Sequence, residues 1–387
     1  MKYDKLVITS TYTLERRTNA LFQIRELVKK GFIVEYWDVG PITYDIKHET
    51  DVVENVSIIR FESKREFKRY VKQTASNKTL YLVFMNYAPK TYFCYRELSK
   101  YDLDIAYCVN GILPSPFCTF NPLEKIKGKL KLVTDINAWK RIVYKLLWKT
   151  TLLKPLSFQF NTSGLATPQY KVNNNTKYIP FNSTDYISSL QYDADIIKEP
   201  YIVFIDQYIP QHPDNKVAGY RDIDEKKYFY QINKLFDSIE QEYNCKVVIA
   251  AHPVAQSYKV NNPFNGRLLF FYKTQTLTKH AIGVISHNST AYSFAVIYNK
   301  PALVLISDDM IKGMKFTYGC CKAFANELNW PLINMDYIDG SVRFNKIDRN
   351  LYEKYKYGYI TNLESENRTN ADILYSVLNG DFEKNIK

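Results

Sequence analysis

The chain has 387 residues, 46% of them hydrophobic and 24% charged, and carries a formal net charge of +12. That length exceeds what one hydrophobic core ordinarily serves and predicts two domains; the composition excludes a fibrous or disordered chain, and no run approaches the roughly 20 apolar residues that cross a bilayer. The cysteines, Cys94, Cys108, Cys118, Cys245, Cys320 and Cys321, form no Cys-x-x-Cys pair and no zinc spacing with His, so buried thiols of a reducing cytoplasm are expected, and no metal.

In chain order, Lys5–Ser10 (KLVITS) predicts a buried strand and not a signal peptide. Asn19–Lys30 places Leu21, Ile24, Leu27 and Val28 on one face, predicting a helix stopped by Gly31, and Phe32–Asp38 predicts the next strand. This βαβ opening implies a parallel sheet. Further strands are expected at Leu80–Met85, Ile105–Asn110 and Leu156–Asn161, and a domain boundary between Tyr178 and Pro200. Asn182-Ser183-Thr184 in that stretch is a chance match to a glycosylation triplet.

A second series predicts strands at Tyr201–Ile205, Lys246–Ala250, Leu268–Phe271, Ile282–Ser286 and Ala302–Ile306. Helices are expected over Asp224–Tyr243, with Phe229, Ile232, Leu235 and Phe236 on one side, and over Ser289–Tyr298. Two more close the chain at about Leu351–Tyr357 and Asn370–Leu378, the last stopped by Asn379-Gly380. The expected organisation is α/β, with doubly wound domains over 1–190 and 191–345 and closing helices over 346–387.

Ligands of open α/β sheets bind at the carboxyl ends of the strands, and polar clusters stand there. His252-Pro253 follows one strand; its imidazole can hydrogen-bond or, when protonated, pair with a phosphate, unless it is a satisfied strand-end histidine. Ser286-His287-Asn288-Ser289-Thr290 leads from another strand into a helix start, where free N–H groups and the helix dipole favour an anion. Simple capping by Ser289 is the alternative. Asp206-Gln207 follows a third strand and is trailed by His212 and Asp214. Asp206 suits a nucleophile or a group that orients a hydroxyl, with Asp214 as competitor; a plain polar loop is the alternative.

After the first strand, Arg16 and Arg17 can meet a carboxylate or merely start a solvated helix, and Asn110 ends another strand. Lys125–Lys154 holds nine Lys or Arg and one acid, Asp135, with Trp139, Tyr144, Leu146, Leu147 and Trp148 interleaved. It suits an anionic membrane surface, or contact with nucleic acid, or a surface helix whose apolar face is core. No Walker A loop and no G-x-G-x-x-G fingerprint occurs, which disfavours kinases and dinucleotide-dependent dehydrogenases.

The hydroxyl turn, the following helix, Asn299-Lys300-Pro301 and the strand Ala302–Ile306 together resemble the nucleotide-binding half of GT-B glycosyltransferases. His252-Pro253 followed by Ser286–Thr290 resembles the His-Pro and Ser/Thr motifs of those that use CMP-activated acidic sugars. With Tyr178–Tyr186 and Asp206-Gln207, residues 178–310 are similar to bacterial transferases of 3-deoxy-manno-octulosonic acid (Kdo) in capsule and lipopolysaccharide biosynthesis, with the acidic residue and glutamine in reversed order.

That resemblance implies two Rossmann-like domains facing a cleft, with the last helices packed back on the first domain. It implies a CMP-sugar donor held by Gln207, His212, Pro253, Ser286, His287, Asn288, Ser289 and Thr290, and catalysis by Asp206, Asp214 and His252 without metal or other cofactor. Arg16, Arg17 and Asn110 would meet a glycan or glycolipid acceptor. The enzyme would be cytoplasmic, peripheral at the inner face of the membrane, with no nucleic-acid partner. A polyol-phosphate or hexosyl transferase of the same fold is the alternative. A sugar-nucleotide 2-epimerase is disfavoured, because its Gly-rich acidic turn is absent at Ser286–Thr290.

Overall fold

The computed structural model describes residues 2–44, 53–114, 136–191, 194–338 and 342–382, which divide into two compact units. The first unit carries seven strands: β1 (Lys5–Ser10), β2 (Ile33–Asp38), β3 (Val56–Arg60), β4 (Thr79–Phe84), β5 (Asp104–Val109), β6 (Phe158–Asn161) and β7 (Lys177–Pro180). All neighbours pair parallel, in the order β3-β2-β1-β4-β5-β6-β7. Parallel neighbours need crossovers, and the helices of this unit are α1 (Arg16–Phe22), α2 (Ile24–Lys29), α3 (Gly40–Thr43), α4 (Lys64–Thr74), α5 (Tyr92–Lys100), α6 (Ile136–Leu146) and α7 (Thr184–Ser189).

Successive strand residues point to opposite faces, so one sheet builds two cores. Leu6 and Ile8 of β1 lie against Phe22 of α1 and Leu27 of α2, whereas Val7 lies with Phe67 and Val71 of α4 and Tyr95 and Leu98 of α5. Coverage on both faces is why the central strands read as continuous apolar runs.

The second unit carries β8 (Tyr201–Ile205), β9 (Lys246–Ala251), β10 (Leu269–Phe271), β11 (Gly283–Ser286), β12 (Ala302–Ile306) and β13 (Leu332–Asn334), all parallel, in the order β10-β9-β8-β11-β12-β13. Its helices are α8 (Asp214–Val217), α9 (Glu225–Tyr243), α10 (Thr274–His280), α11 (Tyr292–Ile297), α12 (Asp308–Gly313), α13 (Lys315–Leu328) and α14 (Arg349–Tyr355). The chain rejoins the first unit from Tyr357 and ends its described course in α15 (Asn370–Asn379), capped by Gly380 at φ 83°.

Asn182, fully buried after β7, clasps this returning segment. Its amide donates to the carbonyls of Ser365 (3.0 Å) and Arg368 (2.8 Å), and its oxygen accepts from the Thr361 hydroxyl (2.5 Å). Burial at this clasp removes Asn182 from any surface role.

Several expectations shift. The helix expected over Asn19–Lys30 is two helices broken at Gln23, which takes φ 47° and accepts the Ala371 N–H on its side-chain oxygen at 2.9 Å. A tertiary contact there overrides helix propensity. The helix expected from Ser289 begins at Tyr292, because Ser289–Ala291 form a tighter turn with Tyr292 N donating to Ser289 O at 3.2 Å. Of the closing helices, α14 stays with the second unit, where the Tyr352 hydroxyl donates to Lys300 O at 2.7 Å. Four cysteines are buried, Cys94, Cys108, Cys320 and Cys321; Cys118 lies outside the described residues. Among the described residues, no helix is long and apolar enough to cross a membrane.

Candidate functional site

In the second unit the crossovers leave β8 in one direction and β11 in the other, so the carboxyl ends of these neighbours form a topological switch point. Asp206-Gln207 leaves β8 there, and Ser286–Thr290 leaves β11. Gln207 joins them: its side-chain oxygen accepts the Asn288 N–H at 2.7 Å. His252-Pro253 leaves β9, the neighbour of β8 on the other side.

Asp206 is not placed as a nucleophile. Its side chain is buried, Oδ1 accepts the Tyr208 N–H at 3.0 Å, and Oδ2 accepts the His252 N–H at 3.4 Å. Burial pushes its carboxyl up to about 6, opposed by the backbone N–H groups. The residue is a buried clasp between the β8 and β9 loops, and Tyr208 beside it is held at φ 54°.

The histidines divide into two kinds. His287 is fully buried: Nδ1–H donates to Leu305 O at 2.9 Å and Nε2 accepts from the Tyr228 hydroxyl at 2.8 Å. Burial lowers its pKa to about 4, so it is a neutral, satisfied core histidine and not a donor ligand. Ser286 is equally committed, its hydroxyl donating to Ile205 O at 2.7 Å.

His252 and His212 are only half-buried, with ring centroids 5.1 Å apart at 76°. His252 Nδ1 accepts the Val254 N–H at 3.3 Å, and His212 Nδ1 accepts the Asp214 N–H at 3.1 Å. An Nδ1 that accepts leaves the ring proton of a neutral imidazole on Nε2. His252 is lowered to about 4, by burial first and then by the neighbouring His212, against the raising effect of Asp214. An imidazole so lowered is neutral at neutral pH and offers Nε2–H as a hydrogen-bond donor, the first of the two roles the sequence allowed.

Asp214 starts the four-residue α8 with its side chain 85% exposed, and its Oδ2 lies 3.8 Å from His212 Nδ1. Pro253 is exposed. Asn288 and Thr290 are half-buried, and the Ser289 hydroxyl accepts the Ala291 N–H at 3.2 Å. Among the described residues, no group of three or more His, Cys, Asp or Glu is arranged to hold a metal.

The first unit has its own switch point between β1 and β4. A cavity of about 510 Å³ opens there, at the carboxyl ends of β1, β4 and β5, lined by Thr11, Tyr12, Asn86, Tyr107 and Asn110 among others. The Tyr107 hydroxyl donates to Asn86 Oδ1 at 3.3 Å, and the Thr162 hydroxyl donates to Asn110 Oδ1 at 3.5 Å. Arg16 and Arg17 start α1 with exposed side chains and do not line this cavity, so only Asn110 of the three expected acceptor residues does. Sequence reasoning missed Tyr12, Asn86 and Tyr107; the strand-end rule that singled out Asn110 would have found Asn86 as well.

No protein-family model matches the sequence, and a comparison with curated proteins gives no match. Solved structures do match. The glycotransferase of kitacinnamycin is 10% identical over 99% of this chain and 96% of its own, with a TM-score of 0.50. The wall teichoic acid polymerase TagF, as its H444N variant soaked with CDPG, is 10% identical over 99% of this chain and 90% of its own, also with a TM-score of 0.50. At such identity the likeness is one of fold: two parallel Rossmann-like sheets of the GT-B type.

Proposed function

We propose that the chain is a glycosyltransferase that holds the phosphate of a nucleotide-activated donor at the switch point of its second unit. The observation that carries this reading is the pair of half-buried imidazoles, His252 and His212, with ring centroids 5.1 Å apart, each with Nδ1 accepting a backbone N–H and Nε2 left to donate. Donors fixed in advance in a partly desolvated site stabilise the charge that develops on a departing phosphate. Ser289 and Thr290 of the turn supply further backbone N–H groups, and Thr290 its hydroxyl, while the Asn288 N–H is held by Gln207. Asp206 holds the two loops in register, and the exposed Asp214, beside His212, is the carboxylate left for proton transfer. The acceptor, a glycan or glycolipid, fits the Asn86, Tyr107 and Asn110 cavity of the first unit. No metal is called for, because the protein supplies the phosphate donors.

Within that class, the spacing of His252-Pro253 and Ser286–Thr290 supports a CMP-activated acidic keto-sugar, Kdo first, used in the cytoplasm for surface-polysaccharide assembly. The similarity in fold to a teichoic acid polymerase soaked with CDPG makes CDPG the second donor to test.

Calorimetric titration with CMP, CDP, CDPG, UDP and GDP separates the readings. A response to cytidine nucleotides alone, weakened about tenfold or more in His252→Ala, is expected from the loss of one hydrogen bond to a charged group. His252→Gln, which keeps an N–H donor, is expected to recover part of that loss. Wild-type affinity in His252→Ala would sink the assignment, and a preference for UDP or GDP would remove the cytidine donor while leaving the site.

A further inference from the structure

The segment Lys125–Lys154 is described from Ile136 onward, and there it departs from an ordinary surface helix. An amphipathic helix normally turns its apolar stripe to the core. In α6 the stripe Trp139, Ile142, Val143 and Leu146, spaced i, i+3, i+4, i+7, is exposed at 53, 49, 54 and 54%. The helix is tied to its unit by other residues. Tyr144 packs edge-on against Tyr92 with centroids 5.1 Å apart, its carbonyl accepts from the Tyr87 hydroxyl at 2.9 Å, and Leu147 and Trp148 just beyond enter the core. Leu152 adds a further exposed apolar side chain, 47% accessible.

The charges around the stripe have one sign. Ile136–Lys154 contains Lys140, Arg141, Lys145, Lys149 and Lys154 and no Asp or Glu. Lys154 is taken by Asp102 at 2.9 Å, while Lys145 and Lys149 are exposed. Helix α4 packs into the same core as Leu147 and Trp148 and is net basic outward, with Glu66 among its cations. Its Arg65, Glu66, Lys68, Arg69 and Lys72 line an open groove of about 650 Å³ with Glu97 and Lys100 of α5, and among the described residues none of Arg65, Lys68, Arg69 and Lys72 is in an ion pair. An exposed apolar stripe in a segment with cations and no acid, beside a net-basic helix, matches the boundary between headgroups and acyl chains of an anionic bilayer. A second copy of the chain would set these cations against their own like.

We propose that this face of the first unit docks on an anionic membrane surface, with Trp139, Ile142, Val143 and Leu146 inserted below the headgroups and Lys145, Lys149 and the Lys and Arg of α4 on the lipid charge. At eleven residues α6 lies in the interface and does not span it. The proposal does not depend on the donor or on the chemistry of the second unit.

The test is sedimentation of the full chain with vesicles of phosphatidylcholine alone and with added phosphatidylglycerol. Binding is expected to the mixed vesicles only, and to weaken with salt. Ile142→Ser combined with Leu146→Ser is expected to cut partitioning about tenfold or more, since each apolar chain inserted contributes on the scale of area burial. Lys145→Gln with Lys149→Gln is expected to reduce it by about thirtyfold, at about 1 kcal/mol for each charge near the surface. Trp fluorescence is expected to shift to the blue with mixed vesicles, and not to do so in Trp139→Phe. Absence of binding at low salt, or binding indifferent to the stripe substitutions, overturns the proposal. So does self-association in light scattering, without lipid, that the stripe substitutions abolish, because the stripe then belongs to a second copy.

Discussion

Histidine 287 sits one residue from the turn proposed to meet the donor, yet its chemistry is spent on Leu305 O and the Tyr228 hydroxyl. With a folded pKa of about 4 against the ordinary histidine value of 6.5, it binds fewer protons folded than unfolded between those values. Stability therefore rises with pH through that window and is lost as pH falls from about 6.5 to 4. In urea titrations His287→Gln is expected to be destabilised by roughly 1–3 kcal/mol at pH 7.5, the cost of disturbing buried hydrogen bonds. The wild type loses about 3 kcal/mol of that contribution toward pH 4 and the variant has none to lose, so the gap is expected to close or invert there. A gap that stays constant with pH would mean the imidazole is not held neutral. Asp206 runs the other way: with its pKa raised to about 6, the stability it contributes is complete below about 4 and lost as pH rises through about 6. Its role as a clasp also has a kinetic signature. Asp206→Asn keeps an oxygen for the Tyr208 N–H and is expected to retain measurable transfer, whereas Asp206→Ala, which frees both loops, is expected to lose it; a nucleophile would lose it in both. The sequence exposed these residues as strand-end polar groups. It could not tell donor from clasp, because that depends on partners such as Tyr228 and Leu305 that are remote in the chain.

The strands most legible in the sequence are those covered on both faces, such as β8 and β12, whose runs YIVFI and ALVLI are buried throughout, although the half-exposed edge strand β10 was expected as well. The strands that were missed, β3, β7 and β13, are the edges of their sheets, where one side lacks a partner and the side chains, Ile179 apart, are half-exposed or exposed. Edge strands need no continuous apolar run and are short, so the pattern that identifies a central strand is weakest there. The tie between the first unit and the returning segment was equally hidden. It rests on Asn182 and on Gly164, whose N–H donates to Tyr357 O at 3.0 Å, while the Ser163 hydroxyl donates to Gly358 O. A Cβ on Gly164 would stand 2.7 Å from that Tyr357 carbonyl oxygen, a backbone atom that cannot swing aside. Gly164→Ala is expected to destabilise the first unit by about 1–3 kcal/mol through overpacking. Asn182→Ala, which strands several buried polar groups, is expected to cost more, about 2–4 kcal/mol. Hydrogen exchange should register both as faster exchange in α15; unchanged protection there would show that the clasp carries little of the segment's stability.

At the scale of the molecule, the first unit is not a contiguous stretch of chain. Its sheet is finished by residue 180, but one of its two cores is closed by α15, after the whole second unit has been threaded. Ile373, Leu374, Val377 and Leu378 of α15 are buried with Leu21, Phe22, Ile24 and Leu27 of α1 and α2, and Tyr3 N donates to Leu378 O at 2.8 Å. Four apolar side chains at about 1.5–3 kcal/mol each come to roughly 6–12 kcal/mol, which is the size of a domain's entire stability. The second unit gives up nothing comparable, since α14 remains with it. A chain truncated after Lys356 is therefore expected to lose the amino-terminal unit, although the cut is made at the far end of the sequence. Limited proteolysis followed by mass spectrometry reads this directly. Cleavage is expected to spread through β1, α1, α2 and β2, while a fragment spanning Ser188–Lys356 resists and still binds the cytidine nucleotide. Survival of the first unit after truncation would show that the sheet's other core, under α4 and α5, suffices to hold it.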